Sequence, residues 1–494
     1  MESTVWLASR SLPRPGVGCC NLLSRVRRSG GRLKPCGNGR KVVVCVSGTE
    51  GKTKVVIVGG GVGGLAVGGR LAKEGYDVHI LEKNSHVGGR LQSLEVEAAV
   101  GVGGKSDDPG GQECFRFDTG PSLLLLPQKY RDAFTAMGED MDDYVTLKKV
   151  EPAAYRVFFG EDEGVQSLDL LYDVQKMCLQ LEQVEEGAGG AFLRFLANAK
   201  EALDKGTASF IERDFKSFWD YADVPRLLPL LKHLSPIELL GQHHSTMRNY
   251  FKNPKLQAMF TFQDLYVGLT PYNAPGVFSL LAATELTDGV WYPVGGFAKV
   301  RDGLAQAAQK VGATITTKAT VKRIDHANGQ VQGVTLEDGT FMRANIVVAN
   351  ADLPYVYNSL LGSKVKTQAS KLLSSKYSAS DDKQIVEAAR ERVISSLVRS
   401  GIGDISSMIL SEVVYSPPTW QDSYNLQYGA AFGLAHNLLQ LAYFRPDVAE
   451  PSIKGLYFAG ASTRPGNGVP LVLMGAKVTT NRILEENYPF LSGN

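Results

Sequence analysis

The sequence predicts an α/β fold, and three observations predict it. Residues 54–82 read as strand, glycine turn, helix and strand; alternating strands and helices return from Trp291; and a short strand at 455–460 passes through a glycine-rich loop into a helix. Lys54–Val58 is a β-branched apolar run, the pattern of a buried parallel strand. It leads directly into Gly59-x-Gly61-x-x-Gly64, and Leu65–Glu74 then reads as a helix. Tyr76–Leu81 reads as a second strand, ending on Glu82. Gly59 suits the tight turn, Gly61 close approach of a pyrophosphate, and Gly64 close packing of helix on strand. The helix N-terminus offers N–H groups and a positive dipole end to phosphates. Glu82 lies at the end of the second strand, where a carboxylate accepts from a ribose 2′-OH. Strand, helix, strand and acid in register make this a dinucleotide site rather than a bare glycine turn. The acid disfavours a 2′-phosphate, which leaves FAD or NAD. Gly59, Gly61, Gly63, Gly64, Glu82 and Lys83 are candidate cofactor-binding residues.

Further along, residues 98–113 read as an exposed loop. Asp118-Thr119-Gly120-Pro121-Ser122 reads as a turn before Leu123–Leu126. Residues 150–290 are mostly helical in pattern, with helices expected at Ala191–Ala202, Ile237–Tyr250 and Tyr272–Leu286. Val224–Leu240 is apolar with prolines and two basic residues, Arg226 and Lys232. It suits either a membrane interface that admits a lipid-soluble substrate or a buried amphipathic helix. His243 and His244 are adjacent and point to different helix faces, which does not suit a shared metal site. From Trp291 the α/β pattern returns: Tyr292-Pro293-Val294-Gly295-Gly296 opens a helix expected to run to about Val311, followed by strands at Thr314–Thr317, Thr320–Ile324, Val331–Leu336 and Ile346–Ala349. Asn328-Gly329 and Asp338-Gly339 are hairpin signals. At the C-terminal end, Gly455–Gly460 is a short strand, 461–470 a loop, and Leu471–Glu485 a helix. That loop again places N–H donors and a positive dipole end at one point.

Composition narrows the class. An apolar fraction of 44% and mean hydropathy of −0.10 are those of a globular protein. No run of 18 apolar residues predicts a transmembrane helix. The net charge of +2 is unevenly spread: residues 1–50 hold nine Lys/Arg against Glu2 and Glu50, leaving 44 basic and 49 acidic residues beyond. Nothing in that body suggests a nucleic-acid surface. The first 50 residues are basic, acid-poor and without periodicity, the composition of an organelle transit peptide, with a disordered basic tail as the alternative. Cys19, Cys20, Cys36 and Cys45 lie there, and only Cys114 and Cys178 beyond, so neither a disulfide framework nor a metal site is expected.

The extension Val87-Gly88-Gly89-Arg90 resembles the FAD-binding amine oxidase and carotenoid desaturase superfamily, and the resemblance selects FAD over NAD. It implies that Gly89 and Arg90 continue along the FAD and that Gly120, Pro121 and Ser122 lie near the flavin. It also implies that the Val321 backbone lies near adenine, and that Gly460, Ala461, Pro470, Leu471 and Val472 bring a helix end to the flavin. Thr463-x-Pro465-Gly466-x-Gly468-x-Pro470 and the block Asn425–Arg445 are similar to the bacterial-type and plant-type carotenoid desaturases, whereas an acid frequent in the superfamily is Ala461 here.

The implied architecture is a Rossmann-type FAD domain built from 51–150, 291–352 and 446–494, with a discontinuous mixed α+β substrate domain from 151–290 and 353–445. The implied activity is desaturation of a polyene such as phytoene, an allylic hydride passing to flavin and on to quinone or oxygen. Peripheral membrane contact and a plastid location go with it. An isomerase or polyene saturase on the same scaffold, and a catalytically impaired FAD-binding protein, are the alternatives. No acid or base is assignable; Arg445 and His436 are the nearest polar residues, with structural roles favoured. One departure stands out. After Lys376–Ser380 the chain passes directly to Asp381–Val398, a helix that comes much later in the family. A stretch carrying substrate-domain strands, and an acid that the resemblance places near the flavin, is missing. Exposed apolar faces and unpaired strand edges are expected there.

Overall fold

The computed structural model describes residues 52–100, 111–159, 167–207, 211–217, 220, 241–361, 383–434, 436, 440 and 444–487. Residues 1–50, the segment Val224–Leu240 and the Ser380–Asp381 junction lie outside them.

The first unit is β1 (Lys54–Val58), α1 (Val62–Lys73) and β2 (Asp77–Leu81). The helix begins three residues earlier than expected, so Val62 and Gly63 belong to its first turn. Next come β3 (Ser93–Val100) and β4 (Gly111–Asp118), paired antiparallel with Val100 opposite Gly111. The loop expected at 98–113 is therefore narrower. Alternation continues through Leu94, Val96 and Ala98, and the ladder extends as far as that alternation does. After α2 (Pro127–Thr135) come β5 (Leu147–Lys149), β6 (Ala153–Phe158), β7 (Ser167–Leu171), α3 (Val174–Glu182) and α4 (Ala188–Gly206).

Two expected helices are shorter. Within Ile237–Tyr250 the described helix is His243–Arg248. At Tyr272–Leu286 the chain first turns at 271–273 and bridges through Pro275 to Gln242, and α5 runs only Ser279–Thr287. Then follow β8 (Trp291–Pro293), α6 (Ala298–Lys310), β9 (Thr314–Thr316), β10 (Val321–Ala327), β11 (Gln330–Leu336), β12 (Phe341–Arg343) and β13 (Ile346–Ala349). The last part holds α7 (Lys383–Arg399), α8 (Pro417–Tyr424), β14 (Leu456–Phe458) and α9 (Val469–Asn487).

Five strands form one parallel sheet in the order β14-β13-β1-β2-β9. Its strands are apolar on both faces, and the period of two divides them between two cores. Val55, Ile57, Val78, Ile80, Ile346 and Val348 face helices α1, α6 and α9. Val56, Val58, Leu81, Val347 and Phe458 face the antiparallel sheet β10-β11-β12 through Val321, Ile324, Val331 and Val334. The Asn328-Gly329 and Asp338-Gly339 turns make that second sheet, so a β-meander covers the face where a doubly wound fold would place helices.

A third core lies around α3, α4 and α5, rich in Phe192, Phe195, Phe251 and Phe260. The segment Leu123–Leu125 separates the cores: Leu124 packs into the first, Leu123 and Leu125 against the third. Among the described residues the sheet on this side is the two-stranded piece β6-β7, whereas β5-β8 packs Leu147 and Trp291 against the first core.

Candidate functional site

All five strands of the parallel sheet point the same way, so their C-terminal ends gather at one edge. A cavity of about 490 Å³ opens there. It is lined by Gly59 after β1, Glu82 after β2, Asn350 after β13 and Gly460 after β14. Open parallel sheets bind ligands at this edge, beside the strand where the order reverses.

The glycine turn is shaped for close approach. Gly59 has φ +100°, a conformation strained for any residue with a Cβ. A Cβ on Gly64 would lie 2.2 Å from Gly59 O, so this glycine seats α1 on the turn and does not itself line the cavity. Cβ atoms on Gly61 and Gly63 would lie 2.9 and 2.6 Å from the Asn350 side chain. Asn350 Nδ2 in turn donates to Gly59 O at 3.1 Å. Gly61 caps α1 without a side chain, which leaves the helix end open to an anion.

Glu82 is 5% exposed. Its Oε2 accepts from Gly60 N at 2.9 Å and its Oε1 from Asn84 N at 2.8 Å. Two backbone bonds thus fix the carboxylate at the cavity wall, with lone pairs to spare for a hydroxyl. Lys83 Nζ donates to Asp422 O and Asn425 Oδ1, each at 3.0 Å, and burial lowers its pKa.

The second glycine turn lies against the first. Gly88 N donates to Gly60 O at 2.7 Å, and Gly89 and Arg90 line the cavity. The half-buried Arg90 donates to Ala431 O; burial lowers its pKa while Asp352 and Tyr424 oppose that. Gly120 and Pro121 also line the cavity, and a Cβ on Gly120 would lie 2.0 Å from Arg90 O. Asp118 accepts from Phe297 N at 2.9 Å and Tyr292 OH at 2.6 Å, which fixes the turn before it. Val321, Gly460, Ala461 and Val472 line the cavity too, whereas Ser122, Pro470 and Leu471 do not.

The last two follow Val469 in the first turn of α9, whose end reaches the cavity through Gly468, Val469 and Val472. Arg445, 1% exposed, holds this loop from behind: it donates to Ala461 O at 2.5 Å, Thr463 O at 3.0 Å and Leu434 O at 3.4 Å. His436 packs against Gly466, whose Cβ would lie 2.2 Å from His436 Nε2. Burial, helped by Arg445, pushes its pKa down to about 3, so the ring is neutral. Neither residue lines the cavity.

Sequence reasoning missed Asn350, Asp352, Trp420, Tyr424 and Asn467, which all line it. Only the Thr-x-Pro-Gly-x-Gly-x-Pro run carried a signal, and only for Asn467. Asp352 accepts from Ser462 Oγ at 2.6 Å and from Gln427 N at 3.0 Å. Among the described residues no group of three or more His, Cys, Asp or Glu is placed to hold a metal ion.

Two helix N-termini, a glycine-lined cradle and a fixed carboxylate at one sheet edge fit FAD. Gly61, Gly63 and the α1 end would hold the pyrophosphate, Glu82 the ribose, and the α9 end the flavin. Bound flavin supplies hydride acceptance; the chain supplies orientation and water exclusion. These features define an FAD-dependent oxidoreductase.

Residues 62–381 match the family described as flavin containing amine oxidoreductase, and the chain belongs to that family. The match ends at residue 381, beside the junction at which the sequence leads one to expect a missing stretch. Phytoene desaturase of Neurospora crassa is 31% identical over 535 positions, covering 89% of this chain and 86% of that one. Since 89% of 494 residues is about 440, about 95 of those positions have no residue of this chain opposite them. The zeta-carotene-forming phytoene desaturase of Myxococcus xanthus is 28% identical over 513 positions, 88% of this chain and 94% of that one. Among solved structures, a cofactor-redesigned triple mutant of putrescine oxidase superposes with TM-score 0.56 at 12% identity, over 88% of this chain and 99% of that one. An oxidoreductase from Methanosarcina mazei gives 0.53 at 16% identity, over 87% and 100%. These two show the fold alone.

Proposed function

We propose that this chain desaturates a long polyene of the phytoene type, removing two hydrogens from a CH–CH unit. The observation that carries the reading is a cofactor site whose lining acids are already committed. Glu82 is held by two backbone N–H groups and Asp352 by Ser462 and Gln427. A hydrocarbon offers nothing to protonate, so catalysis by positioning beside a hydride acceptor suits such a site. Similarity to phytoene desaturases over nearly the whole chain supports it. The test is product mass: full-length protein with FAD, given phytoene in liposomes with a quinone, should yield products lighter by two hydrogens per step. Products of unchanged mass would replace this reading with an isomerase.

A second reading has its own support. About 95 alignment positions without residues here, and only the two-stranded sheet β6-β7 beside the third core among the described residues, favour an FAD-binding chain with impaired turnover. Bound flavin without product would select it. We also propose that residues 1–50 are an organelle transit peptide, on their composition, and that the organelle is the plastid, on the resemblance to carotenoid desaturases. A reporter fused to them that stays in the cytosol of plant cells would reject this. Contact with a membrane surface, and quinone as acceptor, go with a lipid-soluble substrate; no described helix is long and apolar enough to cross a bilayer.

A further inference from the structure

Residues 416–432 cross the mouth of the cavity as a strap with almost no core of its own. Helix α8, within it, has no buried residue; only Leu426 and Gly429 of the strap are buried. Asn425 and Tyr428, at φ 54° and 55°, turn the chain back. Gly429 then meets Pro417, whose carbonyl oxygen would lie 1.9 Å from a Cβ there. The strap is thus closed on itself in the manner of an Ω-loop.

Polar bonds tie it to the cofactor side. Lys83 Nζ donates to Asp422 O and Asn425 Oδ1 at 3.0 Å, and Asn84 Nδ2 to Ser423 O at 3.4 Å. Arg90 donates to Ala431 O, Asn467 Nδ2 to Phe432 O at 2.8 Å, and Gln427 N to Asp352 Oδ2 at 3.0 Å. Every one of these cofactor-side partners lines the cavity. On the strap's inner side Trp420 and Tyr424 line it as well, their ring centroids 5.5 Å apart. The chain on either side of Tyr424 is bonded to Lys83 and Asn84, next to Glu82, the end where the ribose carboxylate lies.

Resting on the flavin dinucleotide reading above, we propose that this strap is the closing wall of the adenosine half of the site. Trp420 and Tyr424 supply the aromatic face against which adenine packs. Aromatic rings hold a base without hydrogen-bond readout, through stacking with its π-face. A wall held by solvent-exchangeable hydrogen bonds, with little apolar contact, opens at low cost to let a large cofactor enter.

The experiment uses the full chain stripped of flavin and titrated with FAD, ADP and FMN. Trp420→Ala and Tyr424→Ala should each weaken FAD and ADP about tenfold and leave FMN unchanged, while Trp420→Phe restores FAD. Unchanged FMN binding also reports that the variants are folded. A second readout is cleavage by chymotrypsin within 416–432, which FAD and ADP should slow and FMN should not. Equal weakening of FAD and FMN, equal protection by both, or unaltered FAD affinity in both alanine variants would overturn the proposal. Wild-type chain that binds no FAD would instead overturn the flavin reading itself, and this inference with it.

Discussion

Asn350 stands at the C-terminal end of β13, and its side chain reaches three glycines of the fingerprint at once. It donates to Gly59 O at 3.1 Å, and Cβ atoms on Gly61 and Gly63 would lie within 2.9 Å of it. The glycines are therefore needed for two approaches, that of a phosphate from outside and that of Asn350 from behind. Replacing Asn350 with Leu removes the donor and sets branched carbon against both glycines. The loss of one such bond, with its acceptor left unpaired, costs about 1–3 kcal/mol. The expected outcome is a lowered melting temperature and at least tenfold weaker FAD binding, read by flavin fluorescence and thermal unfolding of the flavin-free and flavin-bound forms. Wild-type FAD affinity in Asn350→Leu would reduce Asn350 to packing. The fingerprint glycines were legible because their spacing is local. Asn350 was not, because its bond to Gly59 spans 291 residues and depends on β13 lying beside β1. Trp420 and Tyr424 were hidden for the same reason.

Among the elements, those with turn chemistry of their own were legible. The strand–turn–helix at each end of the chain, and the hairpins at Asn328-Gly329 and Asp338-Gly339, follow from glycines at fixed offsets. That the hairpins would pack as a sheet over one face of the parallel sheet is a tertiary fact, which local pattern does not contain. Helix α5 was overextended because apolar periodicity ran through Pro275, where the helix could not. That helix carries Glu285, fully buried, with Gln263 Nε2 donating to its Oε2 at 3.0 Å. Tyr155 and Tyr266 flank it, and Tyr266 OH donates to Tyr155 OH at 2.8 Å. Desolvation outweighs these contacts and pushes the Glu285 pKa up to about 7. A carboxyl whose folded pKa lies above its unfolded value binds its proton more tightly in the folded state. Its contribution to stability is therefore fully present below about 4.5 and is lost as pH rises through about 7. Glu285→Gln holds a neutral group at every pH. The variant should match wild type near pH 4.5 and exceed it by on the order of 3 kcal/mol above pH 8. Denaturant midpoints of both proteins at pH 5 and pH 8 test this. A constant difference between them would mean that Glu285 does not titrate in that window.

The whole molecule divides into a part that is finished and a part that is not. On the cofactor side the strands β14, β13, β1 and β2 are packed between covering layers, helices on one face and the meander on the other, and only the edge strand β9 is exposed. Between the start of α7 and α8 the chain lies open: no residue from 386 to 420 is buried. Val393, Ile402, Met408, Leu410 and Val413 are each more than half exposed within about twenty residues of one another. Monomeric proteins rarely leave that much apolar side chain together in water. The short sheet β6-β7 has no further strand paired with it among the described residues, and unpaired edges recruit other chains. Both features follow if the alignment positions missing from this chain once covered the segment after α7. The family match ends at residue 381, immediately before that helix. Two outcomes are expected of the chain as it stands: FAD binds normally, because its cradle is built from residues that are all present, and a dye that reports exposed apolar surface binds strongly. Inserting the corresponding stretch of a full-length relative between Ser380 and Asp381 should leave FAD affinity unchanged, reduce dye binding and aggregation, and raise phytoene turnover. The physical reason is separability: the cofactor cavity is lined by the ends of the parallel sheet and the strap, and none of its lining residues falls between 356 and 419. A chimera that gains turnover with dye binding unchanged would place the missing residues at the substrate rather than over the exposed segment. A native chain that already desaturates phytoene at the rate of the chimera would show that the remaining strands enclose the polyene unaided.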